Sequence, residues 1–384
     1  MQPELYVDGV ELQVGATTPL GDLKRFPNDL LRLNARPPKA VIGDPRNDEN
    51  LVVAQTHLAF IKFHNAVVAI VQERDPNLQG NALFQAARTM VVQHYQHIVL
   101  KDFLPRLIEQ TALDRALEQL QQNPVGDNPD EPAMPIEFAA AAYRVGHSMV
   151  RQNYSWNKFF PDTPFDFLFF FSAGSGDLGG SETLPSNWII DWRRFYEIPH
   201  RPAPSPLVDG KPNRTRKMDT SLAAVLGLLP GLPAGLNSLA VRNLLRGSRL
   251  GLPSGQSIAN KIDAEMIDAQ TMNNMLQAKG LDASAIEDSH LHEQTPLWFY
   301  ILAEAEAMHE GNRLGPVGSH ILAKTLVDLI AHSQTSILRG AAWNPDPLLT
   351  NRDGVFDMAQ LLLVVDDLNP LEPKFAIHLP LVFR

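Results

Sequence analysis

The sequence predicts a mostly α-helical protein, built as a single large domain with long irregular connections and little sheet. The first observation is the segment ENLVVAQTHLAFIKFHNAVVAIVQER, residues 49–74, which lacks glycine and proline and repeats its apolar residues at helical spacing. The second is that such segments alternate with stretches rich in proline, glycine, aspartate and asparagine, which favour turns. The chain has 384 residues, 44% of them hydrophobic, and can therefore bury a substantial core.

The elements can be predicted in chain order within one domain, residues 1–384, whose helical core covers residues 43–340. Apolar periodicity, turn residues and the preference of proline for the first turn of a helix set the boundaries. The predicted elements are an irregular segment at 1–42, helices from Glu49 to Glu73, from Ala82 to Leu107 with a break near Pro105, and from Pro135 to Val150, an irregular aromatic and proline-rich segment at 155–215, further helices from Ala234 to Ile330, and an irregular tail at 341–384.

Composition excludes several classes of function. The net charge is -10 and no long basic run is present, so the sequence predicts no nucleic-acid partner. The absence of cysteine excludes disulfides, zinc thiolate sites, iron–sulfur clusters and cysteine nucleophiles. The first residues do not resemble a signal peptide, and no membrane span is expected. We therefore expect a cytoplasmic protein, or one exported without a signal peptide.

His147 is the histidine whose surroundings indicate a special role. It lies in AAYRVGHSMVRQNYSW, with Arg144 three residues before it and Arg151 four residues after it. These spacings place side chains on one face of a helix. A histidine between two arginines is disfavoured as a cation, so we expect a neutral ligand next to an anionic group.

The other histidines carry weaker patterns. His94 and His97 are three residues apart, and His290 and His292 flank a leucine, but neither pair comes with a carboxylate in a known metal-binding pattern. We interpret both pairs as ordinary surface or capping residues. The HExxH and GxSxG motifs are absent.

Several segments together resemble one family. GDPRNDENLVVAQTHLAFIKFHN, AAYRVGHSMV and RNLLRGSRLGLPSGQ occur in this order, and LPSNWIIDWRRF and RLGPVGSHILAKTLVDLI add to the likeness. The chain resembles the animal-type haem peroxidases of the peroxidase–cyclooxygenase superfamily, especially their bacterial members, from about Gly43 to about Ser336. The resemblance implies a helical peroxidase fold, a haem b cofactor, hydrogen peroxide as a substrate, a role in oxidative stress and a small organic or halide donor.

The resemblance implies roles on one side of the haem. His147 matches the proximal ligand of the haem iron, and Asn243 matches the asparagine that accepts the second N–H of that histidine. Arg144 and Arg246 match arginines that pair with the haem propionates. These roles are physically reasonable, because arginine binds carboxylates in a bidentate manner and a second acceptor fixes the histidine tautomer.

Two more residues match the opposite, distal side. Arg46 matches the distal arginine, and Glu49 matches a glutamate that forms an ester with a haem methyl group. Purely structural roles remain open for both residues. Arg46 could instead brace its turn through Asp44 or Asp48, and Glu49 could begin the next helix. The calcium site of the family is not visible in the sequence.

The sequence departs from the family in one respect. The family has a distal histidine well before its GDxR motif, whereas no histidine precedes His57 here. We expect His57 and His64 to be structural. The expectation is therefore a chain that lacks the distal-histidine segment. Three accounts stay open: the chain is a fragment or a mis-started product, a second chain supplies this face, or it is a short branch of the family with impaired peroxide activation.

Three functions follow from the resemblance. The first is a peroxidase. The second is a non-catalytic haem-binding or interaction protein of the same fold. The third is a haem-dependent fatty-acid oxygenase, which has its radical tyrosine three residues before the proximal histidine. Here Arg144 occupies that position and Tyr143 lies one residue earlier, a rotation of about 100° on a helix, so the oxygenase is the least favoured.

Overall fold

The computed structural model describes residues 3–36, 38–126, 132–199, 212–229, 233 and 235–372. Its helical content is 51% and its strand content 6%, which confirms the predicted mostly α-helical class. The α-helices are α1 Leu51–Arg74, α2 Gly80–Ile98, α3 Leu104–Leu107, α4 Gln110–Gln122, α5 Ile136–Ala140, α6 Gly146–Met149, α7 Phe167–Phe170, α8 Ala173–Gly176, α9 Leu239–Arg249, α10 Gly255–Lys261, α11 Ala269–Ala278, α12 Ala283–Ser289, α13 Leu297–His309, α14 Pro316–Ala331 and α15 Met358–Val365.

The strands are only two residues long and form three antiparallel pairs. They are β1 Tyr6–Val7 with β2 Glu11–Leu12, β3 Arg32–Leu33 with β4 Lys39–Ala40, and β5 Asn153–Tyr154 with β6 Thr163–Pro164. The first two pairs lie in the segment predicted to be irregular. Short 3₁₀ turns, such as Pro45–Asp48 and Ala142–Arg144, connect many of the elements.

The chain divides into two compact units. The first comprises Met1–Val91, Asn153–Arg214 and Pro347–Arg384, and the second comprises Val92–Gln152 and Thr215–Asp346. The single domain expected from the sequence therefore stays a prediction. Arg46 and Glu49 belong to the first unit, whereas His147, Arg144, Asn243 and Arg246 belong to the second.

The first unit is organised around α1. This helix begins at Leu51 because the side chain of Asn50, rather than that of Glu49, accepts a hydrogen bond from the Val53 N–H. The side-chain amide of Asn65 exchanges two hydrogen bonds of 2.8 Å with the backbone of Leu12, which fixes β2 against the helix.

By length and composition α1 could cross a membrane, but 56% of its most apolar part is buried within the protein. The core helix of a folded unit has the same properties, so this is weak evidence for a span.

The second unit is organised around α13 and α14. Helix α13 is buried on nearly all sides and carries Glu304, whose side chain is fully buried. Its carboxyl oxygens accept backbone N–H bonds of 3.0–3.3 Å from Val317 and Gly318, which would otherwise have no partner at the first turn of α14. Gly315 leaves room for this contact, because a Cβ there would lie 2.3 Å from Cγ of Glu304.

Two predicted elements need correction. The predicted helix from Ala82 to Leu107 leaves regular α-geometry at Ile98 and passes through a π-helical turn, Val99–Phe103, before α3. This turn precedes Pro105, which cannot donate a backbone hydrogen bond. The tail that was predicted to be irregular contains α15, and its residues 373–384 lie outside the described residues.

Candidate functional site

His147 lies on a single helical turn, not on the long helix predicted from Pro135 to Val150. Helix α5 ends at Ala140, Ala141 has a non-helical φ of -129° and ψ of -70°, and a 3₁₀ turn precedes α6. The Ser148 N–H donates to the Val145 carbonyl instead of the Arg144 carbonyl. That carbonyl accepts a bond of 3.3 Å from the indole N–H of Trp298 in α13. A tertiary contact has therefore replaced a helical one.

Asn243 of α9 contacts the ring of His147. Its amide nitrogen Nδ2 lies 2.9 Å from Nδ1 of the imidazole, and its side chain is almost fully buried. With this amide orientation Nδ2 donates to Nδ1, and the ring proton is on Nε2. The reversed orientation, which exchanges the amide oxygen and nitrogen, lets Oδ1 accept a proton from Nδ1 and frees the Nε2 lone pair for a ligand. The asparagine thus controls which ring nitrogen can bind.

His147 is neutral at physiological pH. Burial, together with the positive charges of Arg144 and Arg246, lowers the pKa of its imidazole to about 4. A neutral imidazole has a free lone pair on one nitrogen, which is the form that binds metal ions. The sequence-based expectation of a neutral ligand histidine is therefore in accord with the electrostatics around the ring.

Three arginines gather around this histidine. Burial lowers the pKa of Arg144, and the nearby charges of Arg246 and Arg242 add to the effect. The Nε of Arg144 donates to the Ala139 carbonyl at 3.1 Å. Within the part of the chain that the structure describes, no carboxylate pairs with any of the three guanidinium groups. The second unit thus presents a cluster of positive charges whose repulsion an anionic group would relieve.

Arg46 lies in the first unit and braces its own turn, which was the structural alternative considered for it. Its guanidinium bonds Asp44 at 3.0 Å through Nε, and 77% of the side chain is exposed. These hydrogen bonds lower the pKa of Asp44 to about 2. Arg46 therefore braces the turn at Pro45–Asp48, and Asp44 stays ionised.

A buried ion-pair network supports the same turn from inside. Arg32, with a side chain 2% exposed, bonds Asp29 at 2.7 Å and Asp48 at 2.7 Å. Although burial alone would lower it, the pKa of Arg32 is raised because both carboxylates hold the charged form. Glu49 follows this turn with an exposed side chain, while its carbonyl accepts a bond of 2.8 Å from Ser172.

Three further histidines have structural partners. His64 is buried and its Nε2 lies 3.0 Å from the Val10 carbonyl, and Nδ1 of His57 lies 2.7 Å from the Asn47 amide, in accord with the structural roles expected for both. His94 had been interpreted as a surface or capping residue, but its ring is buried and its Nε2 accepts a bond from the Asp346 N–H.

The structure thus brings four predicted residues together in the second unit, namely Arg144, His147, Asn243 and Arg246. Sequence reasoning missed Arg242, although its spacing of four residues from Arg246 on α9 could have indicated it. It also missed Trp298, whose bond to a backbone carbonyl leaves no signal in the sequence.

The comparison with protein families gives one match. Residues 13–168 match the model of the animal haem peroxidase family. The chain is similar to this family over that region, which is less than half of its length. The matched residues include Arg46, Glu49, Arg144 and His147, and they begin before Gly43, where the likeness had been expected to start.

Similar proteins agree with this likeness. The chain is 26% identical to peroxidasin of Drosophila melanogaster over 228 residues, which are 58% of this chain and 13% of that protein. It is 33% identical to the chorion peroxidase of Drosophila melanogaster over 112 residues, 28% of this chain and 14% of that protein. The chain thus spans only a small part of these curated relatives.

A solved structure supports the fold. Peroxidase A from Dictyostelium discoideum superposes with a TM-score of 0.52 at 16% sequence identity, over 86% of this chain and 59% of that one. The two chains therefore share a similar fold over most of this chain.

The described residues of the second unit fit the haem that the family implies. Haem presents an iron that binds neutral imidazole and two carboxylates that bind arginine. The structure offers a neutral His147 and three arginines without a carboxylate partner among the described residues. No group of three or more histidine, cysteine or carboxylate side chains in the described ranges forms a separate metal site.

Proposed function

We propose that the chain is a haem-binding oxidoreductase of the peroxidase type, which uses hydrogen peroxide to oxidise a small organic or halide donor. The observation that carries this proposal is the neutral His147 beside Asn243 and the arginine cluster. A neutral metal ligand beside uncompensated cations is expected where an iron and two carboxylates bind together.

In this proposal His147 is the proximal ligand of haem b through Nε2. Asn243 accepts the Nδ1 proton, which orients the imidazole and increases its basicity as a ligand. Arg144 and Arg246 pair with the propionates, and Arg242 adds to the positive field. The chemistry that haem supplies when bound is the two-electron reduction of peroxide to water.

Arg46 and Glu49 are the proposed distal residues. Arg46 can donate hydrogen bonds to a peroxide oxygen and stabilise developing negative charge, but it cannot act as a base because its guanidinium group stays protonated. To reach peroxide, Arg46 has to break its ion pair with Asp44. Because this pair is exposed, breaking it costs little free energy. The exposed carboxylate of Glu49 is the group proposed for an ester with a haem methyl.

A second candidate function is haem binding without catalysis. The observation that favours it is the pairing of Arg46 with Asp44, which occupies the proposed distal donor. The two candidates share the same proximal residues. They differ in whether Arg46 donates hydrogen bonds to peroxide or only stabilises its own turn through Asp44.

The first experiment is a haemin titration of the purified chain, followed by its absorption spectrum. Wild-type protein should give the Soret band of five-coordinate high-spin haem, and His147→Ala should lose it. His320→Ala is the matched control, because burial also lowers the pKa of this half-buried histidine of the same unit. A spectrum that both variants leave unchanged would refute the ligand assignment.

Steady-state peroxide consumption then separates the two functions. A peroxidase should consume peroxide in the presence of a donor and lose most of this turnover in Arg46→Ala. A non-catalytic protein should bind haemin equally well in both forms and show no donor-dependent turnover in either.

A further inference from the structure

A cavity of about 380 Å³ lies in the second unit, between α9, the start of α10 and the start of α13. Asn243, Leu297 and Trp298 line it and are buried, whereas Ser248, Ser257 and Gln294 line it and are exposed. The cavity therefore has a buried floor and an open polar rim.

This cavity differs from the space that the proposed haem would occupy. The residues that line it include neither His147 nor any of the arginines Arg144, Arg242 and Arg246. Asn243 is shared, since its amide reaches Nδ1 of His147 while the residue also lines the cavity. The metal-binding nitrogen in the proposed function is Nε2, whereas Asn243 contacts the ring at Nδ1.

The lining selects the chemistry of an occupant. None of its side chains carries a charge, and a buried charge without a partner is costly, so an uncharged molecule is favoured. Leu244, Leu252, Pro253 and Trp298 offer apolar and flat surfaces for a ring, and the rim offers hydroxyl and amide groups for one polar substituent. The volume lies at the lower end of the range of about 300–1,000 Å³ for ligand sites, which indicates a small molecule.

Two floor residues also hold the segment that carries His147. Asn243 contacts its imidazole, and Trp298 donates to the Arg144 carbonyl. An occupant that packs against Trp298 or bonds the Asn243 amide therefore acts on both contacts at once. By linkage, a change at the histidine must in turn alter the affinity of the cavity.

We propose that this cavity binds a small uncharged aromatic alcohol, and that its occupancy is transmitted to His147 through Asn243 and Trp298. The binding itself does not depend on haem. Only the consequence for haem affinity rests on the proposed function, so the test uses the chain without haemin.

Three probes that share one ring test the chemistry by fluorine NMR. They are 4-fluorobenzyl alcohol, 4-fluorobenzoate and 4-fluorobenzylammonium, which are neutral, negative and positive at pH 7. The alcohol should bind saturably, and neither ion should bind at the cavity. Benzoate that binds to the arginine cluster will be recognised, because a blocked cavity will not affect it.

Ser257→Trp and Ser248→Trp block the cavity from its exposed rim, and each should weaken binding of the alcohol at least about tenfold by filling its space. Ser289→Trp makes the same change at an exposed position outside the cavity and should have no effect. The alcohol should also shift the ring resonances of His147, which are identified by their loss in His147→Gln.

Each of the following outcomes would contradict one part of the proposal. Unchanged binding in both rim variants would place the alcohol elsewhere. Benzoate that binds as well as the alcohol and is blocked by the same variants would exclude the uncharged class. Binding that leaves the His147 resonances unmoved would remove the coupling. If the parent chain does not bind haemin, the proposed function is contradicted, but the results on alcohol binding, which are obtained without haemin, still stand.

Discussion

At the scale of single residues, the chemistry of His147 depends on its neighbours. Burial and two arginines keep the ring neutral, and one amide selects which nitrogen is available. The sequence showed the arginine spacing and, by resemblance, the asparagine. It could not show the amide orientation, because this depends on how α9 packs against the His147 segment, and the spacing of Arg242 from Arg246 was its one signal for the third arginine.

The arginines should tune the titration of His147 in the absence of haem. Arg144→Ala and Arg246→Ala each remove a nearby positive charge, so the pKa of His147 should rise from about 4, although burial should still hold it below its usual value. Proton NMR of the ring as a function of pH measures this. Arg249→Ala, an exposed change on the same helix, should leave the pKa unmoved, and an equal rise there would contradict the assignment.

The role of Asn243 can be separated into acceptor and donor functions. Asn243→Ala removes the partner of Nδ1 and should lower haemin affinity about 10–100-fold, the usual effect of losing such a contact. Asn243→Asp supplies only acceptors and should retain most of the affinity. Haemin titrations of both variants decide this, with Asn260→Ala, a change at an exposed position of α10, as the control. Better binding by the alanine variant than by the aspartate variant would favour the donor orientation.

Glu304 should make stability depend on pH. Burial raises the pKa of its carboxyl to about 8. The hydrogen bonds from two backbone N–H groups lower this pKa, whereas the charge of the nearby Glu109 raises it. The unfolded chain releases this proton near pH 4.5, whereas the folded chain keeps it to about pH 8. Stability should therefore be highest below pH 4.5 and fall as the pH rises to 8, by at most about 1.4 kcal/mol per pH unit.

Glu304→Gln keeps an acceptor for the start of α14 and has no carboxyl proton to lose. Urea unfolding between pH 4.5 and 8 should show a flatter dependence in this variant than in the parent chain. Glu118→Gln, an exposed change on α4, should keep the parental slope. Parallel slopes in all three proteins would show that Glu304 is ionised in the folded state.

At the scale of elements, the sequence predicted the helices that are set by their own residues. Helix α1 has uninterrupted apolar periodicity and a capping side chain, and its boundaries lie within two residues of the prediction. The helix predicted around His147 was wrong because Trp298, remote in sequence, takes the carbonyl that a regular helix would use. Helix α15 was missed because its eight residues lie in a proline-rich tail.

Packing between α10 and α13 should be intolerant of a single methyl group. Gly255 begins α10, and a Cβ there would lie 1.9 Å from Cγ of the buried Tyr300. Gly255→Ala should therefore destabilise the protein by about 1–3 kcal/mol or more. Gly247→Ala on α9 is the control, since its Cβ would meet only Leu252 at 3.6 Å and alanine favours helices. Urea unfolding at constant pH measures both.

At the scale of the whole molecule, the fold class was predictable because helical periodicity recurs along most of the chain. The division into two compact units was not, because each unit is assembled from separate stretches of sequence. The predicted site residues are divided between the two units in the same way. Those of the second unit come together from segments about 100 residues apart, whereas the geometry of Arg46 is set within its own short turn.

The short turn that carries His147 has a consequence for backbone dynamics. Helix α6 has only four residues, so few amides there are protected by helical hydrogen bonds, and local opening includes the loss of the Asn243 and Trp298 contacts. Amide hydrogen exchange in residues 141–151 should therefore be faster than in α13, although both belong to the same unit. Trp298→Phe should speed exchange in that segment, and bound haemin should slow it, because a ligand that binds only the closed form suppresses opening. The metal-binding residue would then sit on one of the least protected backbone segments of its unit, and ligand binding would complete its local folding.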